Sequence, residues 1–298
     1  TMSVRELLEL SRSDEDEGGS GGAGKTAGLH GQEALRRLGE LTLGYTESRG
    51  DPQLRSRIAG LYGTVDAEDV LVAAPEEAIF LLLQAHLEEG DHVVAMSPSY
   101  QSLLSVPRAI GCEVDEWPVE LTSGRQAGAH SWSFDLERLK KLIRENTKMV
   151  IVNVPHNPTG CCMTAEEKRE LAGVLRSRGI MLLADEMYWR LEYDARADAT
   201  PFCDLYEKAV SLSGLSKSYG LPGLRIGWLA SQDGSLVEPA AQLKDYTTIC
   251  TAAPSEFLAR VAVGATETLV ARSLSIVRED LGILEQVCER RADPLELI

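Results

Sequence analysis

The stretch of this 298-residue chain best equipped for chemistry is Ser211-Leu-Ser-Gly-Leu-Ser-Lys217-Ser-Tyr-Gly-Leu-Pro-Gly-Leu-Arg225. A lysine stands among small residues just past an apolar run, and an arginine follows eight positions later. Small neighbours leave room for a flat ring and let the backbone adjust around it. A lysine amine so placed can attack a carbonyl and form a Schiff base. The nearby arginine offers a fixed cation to a phosphate. The combination points to pyridoxal phosphate (PLP) as cofactor.

Four more groups of residues lie upstream. Asn153-Val-Pro-His-Asn157-Pro-Thr-Gly160, Met181-Leu-Leu-Ala-Asp185-Glu-Met-Tyr188 and Ser97-Pro-Ser-Tyr100 each sit at or just past the end of an apolar run. Tyr45 and Gly50 precede a helix start at Pro52. If the apolar runs are parallel strands, three of these groups fall at strand C-termini, where open α/β sheets bind their ligands.

The runs do read as strands. Candidates are 69–73, 92–96, 113–119, 149–154, 180–184, 209–212 and 226–230, several of them rich in Val, Ile and Leu without alternation. That is the pattern of strands covered on both faces. Helices fit between them: 52–62 opens after Asp51 with proline at its first position, and Thr164-Ala-Glu-Glu167 is a capping box whose helix stops at Gly179. The expected fold is α/β, a mostly parallel seven-stranded sheet with helices on both faces. Residues 1–44 read as an N-terminal segment with a short helix near 4–10. Residues 45–270 form the main domain. Residues 271–298 form a linking helix whose apolar stripe is Leu274, Val277, Leu281, Leu284 and Cys288.

The motifs N-P-x-G, D-x-x-Y and S-K followed by a distant R, in this order, make the chain resemble the class I/II aminotransferases of the fold-type I PLP family. The resemblance covers nearly everything from about residue 41 and implies a site. Lys217 would carry PLP and shuttle protons. Asp185 would pair with the pyridine nitrogen, and Tyr188 and Asn157 would hydrogen-bond the ring oxygen. Tyr100 would stack on the ring, Arg225 and Ser216 would hold the phosphate, and Tyr45 would reach the site of a neighbouring subunit. It further implies a homodimer acting on small molecules, an amino acid and a 2-oxo acid.

Departures from that family pattern stand out. The phosphate loop reads Ala73-Ala-Pro75-Glu76-Glu77-Ala78, which sets an N–H-less proline and the Glu76 carboxylate beside an anion. Gly214 occupies a position where the family often has a phosphate-binding serine. The family's small domain, with its carboxylate-gripping arginine, is expected to be largely absent. Two alternatives follow. The loop and lysine segment are also similar to capreomycidine synthase-type members, which use the same Schiff base for elimination and ring closure. The missing arginine suits a PLP-binding member that does not turn over.

Composition narrows the partners. The formal net charge of −16 argues against nucleic acid or an anionic membrane surface. No apolar run reaches the roughly 20 residues of a membrane span. Six scattered cysteines and five histidines show neither a disulfide framework nor metal-ligand spacing, so a reducing, cytoplasmic setting without a metal site is expected. Gly19-x-x-x-x-Gly24-Lys25-Thr26 matches the nucleotide-binding P-loop letter for letter. It follows an acidic, glycine-rich run instead of a strand and opens no helix, so it reads as a decoy.

Overall fold

The computed structural model describes residues 2–10, 31–123, 130–193 and 197–289. The P-loop-like run at 19–26 lies outside them. The strands are β1 Val70–Ala73, β2 His92–Ser97, β3 Glu113–Ser123, β4 His130–Phe134, β5 Thr147–Asn153, β6 Met181–Asp185, β7 Ala209–Gly214 and β8 Gly227–Ala230. The α-helices are α1 Val4–Leu10, α2 Gly31–Gly39, α3 Pro52–Ala59, α4 Pro75–His86, α5 Ser102–Ile110, α6 Leu136–Leu142, α7 Ala165–Arg178, α8 Phe202–Leu205, α9 Glu238–Lys244, α10 Ala253–Gly264 and α11 Thr266–Glu289.

The strands form one sheet in the order β1-β8-β7-β6-β5-β2-β3-β4. Its centre, β7 through β3, is parallel, while β8 runs antiparallel between β1 and β7, and β4 antiparallel beside β3. The sheet therefore has eight strands, one more than the seven expected. The extra strand, His-Ser-Trp-Ser-Phe, is short and polar at alternate positions, and it pairs only with the outer half of β3. Nothing in it resembles the apolar runs of the sheet centre.

Those runs are apolar throughout because both faces are covered. Val93, Ala95, Met149, Ile151, Leu183 and Leu212 pack with residues of α4 and α9. The intervening Val94, Met96, Val150, Val152, Leu182 and Ala184 pack with residues of α6 and α7. Burial of this kind contributes about 25 cal/mol per Å² of apolar surface. Beside them a third cluster joins β1 and β8 to α1, α3 and α10 through Val72, Trp228, Ile58 and Phe257.

Local signals set the helix ends. Asp51 accepts from the Leu54 N–H, and Pro52 starts α3. The Thr164–Glu167 capping box is complete, and α7 stops at Gly179 with φ +67°. No helix among the described residues is long and apolar enough to cross a membrane.

Candidate active site

Every functional element converges on one edge of the sheet. β2, β5, β6 and β7 end there, β1 runs there into α4, and antiparallel β8 begins there. A cleft of about 200 Å³ opens at this edge. Around it stand Lys217, Asp185, Tyr188, Asn157, Tyr100, Arg225, Ser216 and Glu76. Eight of the nine residues singled out from sequence are thus gathered in one place. Tyr45 is not among the lining residues and stands 90% exposed on the surface.

Lys217 follows β7 on an exposed turn, with its Nζ 5.8 Å from the centre of the Tyr188 ring. No hydrogen bond or ion pair with a described residue ties up its amine. Asp185 ends β6 and is 5% exposed. One carboxylate oxygen accepts from the Met187 N–H at 3.1 Å, and no described cation pairs with it. Burial, reinforced by the charge of Glu76, pushes the Asp185 carboxyl up to about 6. Burial and the Asp185 charge also push the Tyr188 phenol up. Tyr100 is raised by the Glu76 charge first, then by burial and a hydrogen bond to Glu76.

Asn153, which sequence reasoning passed over, locks two of these residues together. Its Nδ2 donates to the Asp185 carbonyl at 3.0 Å, and its Oδ1 accepts from the Asn157 N–H at 2.8 Å. The one available signal was a strand-ending asparagine four residues before a second one. Glu186 was missed as well. Burial pushes its carboxyl up to about 7; one oxygen accepts from the Phe202 N–H at 3.0 Å, and the other is buried without a hydrogen-bond partner among the described residues.

The departures in the phosphate loop find physical reasons. Pro75 is the first residue of α4, where a missing N–H costs no helical hydrogen bond. The first helical bond runs from Ala78 N–H to the Ala74 carbonyl. The N–H groups of Glu76 and Glu77 therefore remain without a described acceptor, and Ala74 supplies no side-chain cap. An open 12-residue helix N-terminus beside Arg225 and Ser216 suits a phosphate. Gly214 has no room for a serine: a Cβ there would lie 2.8 Å from the Gly227 Cα and 3.0 Å from the Ile226 carbonyl. Of the two serines that could stand in for it, Ser216 lines the cleft and Ser213 does not. Arg225 adopts φ +55°, a left-handed conformation unusual for arginine and characteristic of functional turns.

These groups fit PLP on their own chemistry. A buried carboxylate without a cation matches a protonated pyridine, an uncapped helix end matches a phosphate, and an uncommitted lysine matches an aldehyde.

A family model described as aminotransferase class I and II matches residues 25–275. Capreomycidine synthase of Streptomyces vinaceus is 32% identical over 247 residues, covering 82% of this chain and 61% of that protein. A probable kynurenine–oxoglutarate transaminase of Saccharomyces cerevisiae is 30% identical over 223 residues, covering 71% of this chain and 50% of that protein. Among solved structures, a PLP-dependent aminotransferase from Streptococcus suis superposes with a TM-score of 0.83 at 30% identity, covering 98% of this chain and 71% of that one. The chain thus spans about half to three-fifths of the length of these two curated relatives.

Proposed function

Because the chain belongs to the class I and II aminotransferases, we propose that it serves a PLP-dependent transfer of an amino group between an amino acid and a 2-oxo acid. The observation that carries this reading is the meeting of uncommitted Lys217, cation-free Asp185 and the open start of α4 in one cleft. PLP, when bound, supplies an aldehyde for Schiff-base formation and a ring that accepts electrons from the bond broken at the substrate Cα.

The residues divide the remaining work. Lys217 would hold PLP through its amine and would serve as the base that takes and returns the substrate Cα proton. The Asp185 carboxylate holds a proton on the ring nitrogen, and the cation it gains there offsets its burial. Tyr188 and Asn157 hydrogen-bond the ring oxygen, with Asn153 fixing the Asn157 backbone. Tyr100 covers one face of the ring. Arg225, Ser216 and the Glu76 and Glu77 N–H groups hold the phosphate. In a cytoplasmic homodimer, the exposed Tyr45 would serve the site of the second copy.

Titration with PLP tests this reading. A band near ~420 nm, from the protonated Schiff base, is expected and should vanish in Lys217→Ala. No band with the unaltered protein would overturn the proposal. Amino acids that shift the band and yield 2-oxo acids would establish transfer. The identity to capreomycidine synthase favours one second reading, elimination with ring closure, for which the product would be cyclic and no 2-oxo acid would appear.

A further inference from the structure

His156 lies between the two loops that wall the cleft, and no role in the reaction uses it. Its ring is 2% exposed. Nε2 lies 2.6 Å from the Pro98 carbonyl oxygen, and Nδ1 lies 2.7 Å from the Thr159 hydroxyl. A carbonyl can only accept, so Nε2 must carry the proton. In the neutral ring Nδ1 is then an acceptor, and the Thr159 hydroxyl donates to it. Burial holds the imidazole below its ordinary range, which keeps it neutral. The Phe134 ring stands edge-on to it, 6.5 Å away at 88°. The backbone around it is pinned too: its N–H donates to the Cys161 carbonyl, and its own carbonyl accepts from Gly160.

The two loops it joins carry different halves of the site. Pro98 is two residues before Tyr100, the residue that would cover the ring. Asn157, the next residue after His156, would reach the ring oxygen. Between these loops, among the described residues, the Nε2–Pro98 bond is the side-chain tie, and it crosses the sheet edge between β2 and β5.

We propose that His156, as the neutral Nε2–H tautomer, is a positioning residue that sets the distance between Tyr100 and Asn157 and so the width of the cofactor slot. This rests on the PLP reading above, but the tautomer and the tie do not. A tie and a packing role rank substitutions differently. Gln places an amide N–H near the position of Nε2 and keeps the Pro98 bond. Phe keeps the ring and its contact with Phe134 but cannot donate.

Two measurements on the purified chain decide the matter. Nitrogen-15 histidine spectra without cofactor should contain a neutral Nε2–H imidazole signal that disappears in both His156→Phe and His156→Gln and is thereby assigned to His156. PLP titration should then give His156→Gln an affinity close to the unaltered protein and His156→Phe about tenfold weaker, as expected for losing one hydrogen bond in a buried site. If the signal lost in the His156 variants is an Nδ1–H or charged ring, the inference is overturned. So would His156→Phe binding PLP as well as, or better than, His156→Gln. If the unaltered protein forms no PLP band, the functional reading fails; the tie is then judged by the spectra and by whether His156→Phe, and not His156→Gln, increases quenching of Tyr100 by added iodide.

Discussion

Polar clusters lie at both ends of the same parallel sheet, and they are built on opposite plans. At the end where β2, β3 and β5 begin, His92 hydrogen-bonds Thr147 at 2.7 Å and Asp115 at 3.2 Å. Arg144 closes the cluster with bonds of 2.6 Å to Glu113 and 2.7 Å to Asp115. Burial works against the Asp115 carboxylate, yet the hydrogen bonds from Arg144 and His92 outweigh it and hold the carboxyl below its ordinary range. At the other end Asp185 has one backbone N–H and no described cation, and it sits at about 6. Both ends hold a carboxylate and a ring nitrogen donor, Asp115 half-buried and Asp185 buried. Only one is left electrostatically incomplete, and incompleteness marks a place built to receive a ligand.

Asp185→Asn breaks that contrast most sharply. PLP affinity should fall about a hundredfold, because a buried pair with the pyridine nitrogen is lost. The cofactor-free protein should become more stable by about 2 kcal/mol at pH 8. The sign follows from the raised carboxyl, which binds its proton more tightly in the folded chain than in the unfolded one. The burial penalty is complete above about pH 6, shrinks as pH falls through 6, and ends near the ordinary carboxyl value of 3.8. Melting curves at pH 8 and pH 5 check this; a substitution that destabilises equally at both would refute the contrast.

Gly214→Ser tests whether the lost phosphate serine is a matter of space. Crowding against Gly227 should lower stability by about 2 kcal/mol without improving PLP affinity. Denaturant melts and the PLP titration read the two parts separately. Asp115→Asn should behave as the reverse of Asp185→Asn, with about 1 kcal/mol of stability lost and PLP affinity unchanged. The smallest effect is expected for Glu76→Gln, which removes a negative charge near both Asp185 and the open start of α4. PLP should bind a few-fold more tightly, more so at low salt, and weaker binding would instead make Glu76 a direct cofactor contact.

Much of this molecule was legible in the order of its residues. Each central strand is an apolar run because helices cover both its faces, so burial itself wrote the signal. Most of the residues that line the cleft were legible because they stand at or just past the ends of those runs. β4 was not, since an edge strand that pairs only with the outer half of β3 needs no apolar run. Asn153 and His156 could be seen in a motif, but their roles depend on Asp185 and Pro98, whose positions only the assembled sheet defines. Gly214 departs from the family pattern in sequence, and the reason, crowding by Gly227 and Ile226, exists only in the folded sheet. Sequence carried the chemistry of each side chain, and contacts between distant segments carried the reasons for the exceptions.

The antiparallel insertion of β8 also bears on how the chain is made. Val70 to Ala73, which lead into the open start of α4, pair as a strand with Ala230 to Gly227, and the Val72 N–H donates to the Arg49 carbonyl. A ribosome adding about 5–20 residues each second needs roughly ten to thirty seconds to travel from one to the other. For that interval β1 has an unsatisfied edge and α4 has no Gly227 beneath Pro75. The start of α4 is therefore among the first parts of the cleft to be synthesised and among the last whose packing can be completed, and until then β1 presents an unpaired strand edge.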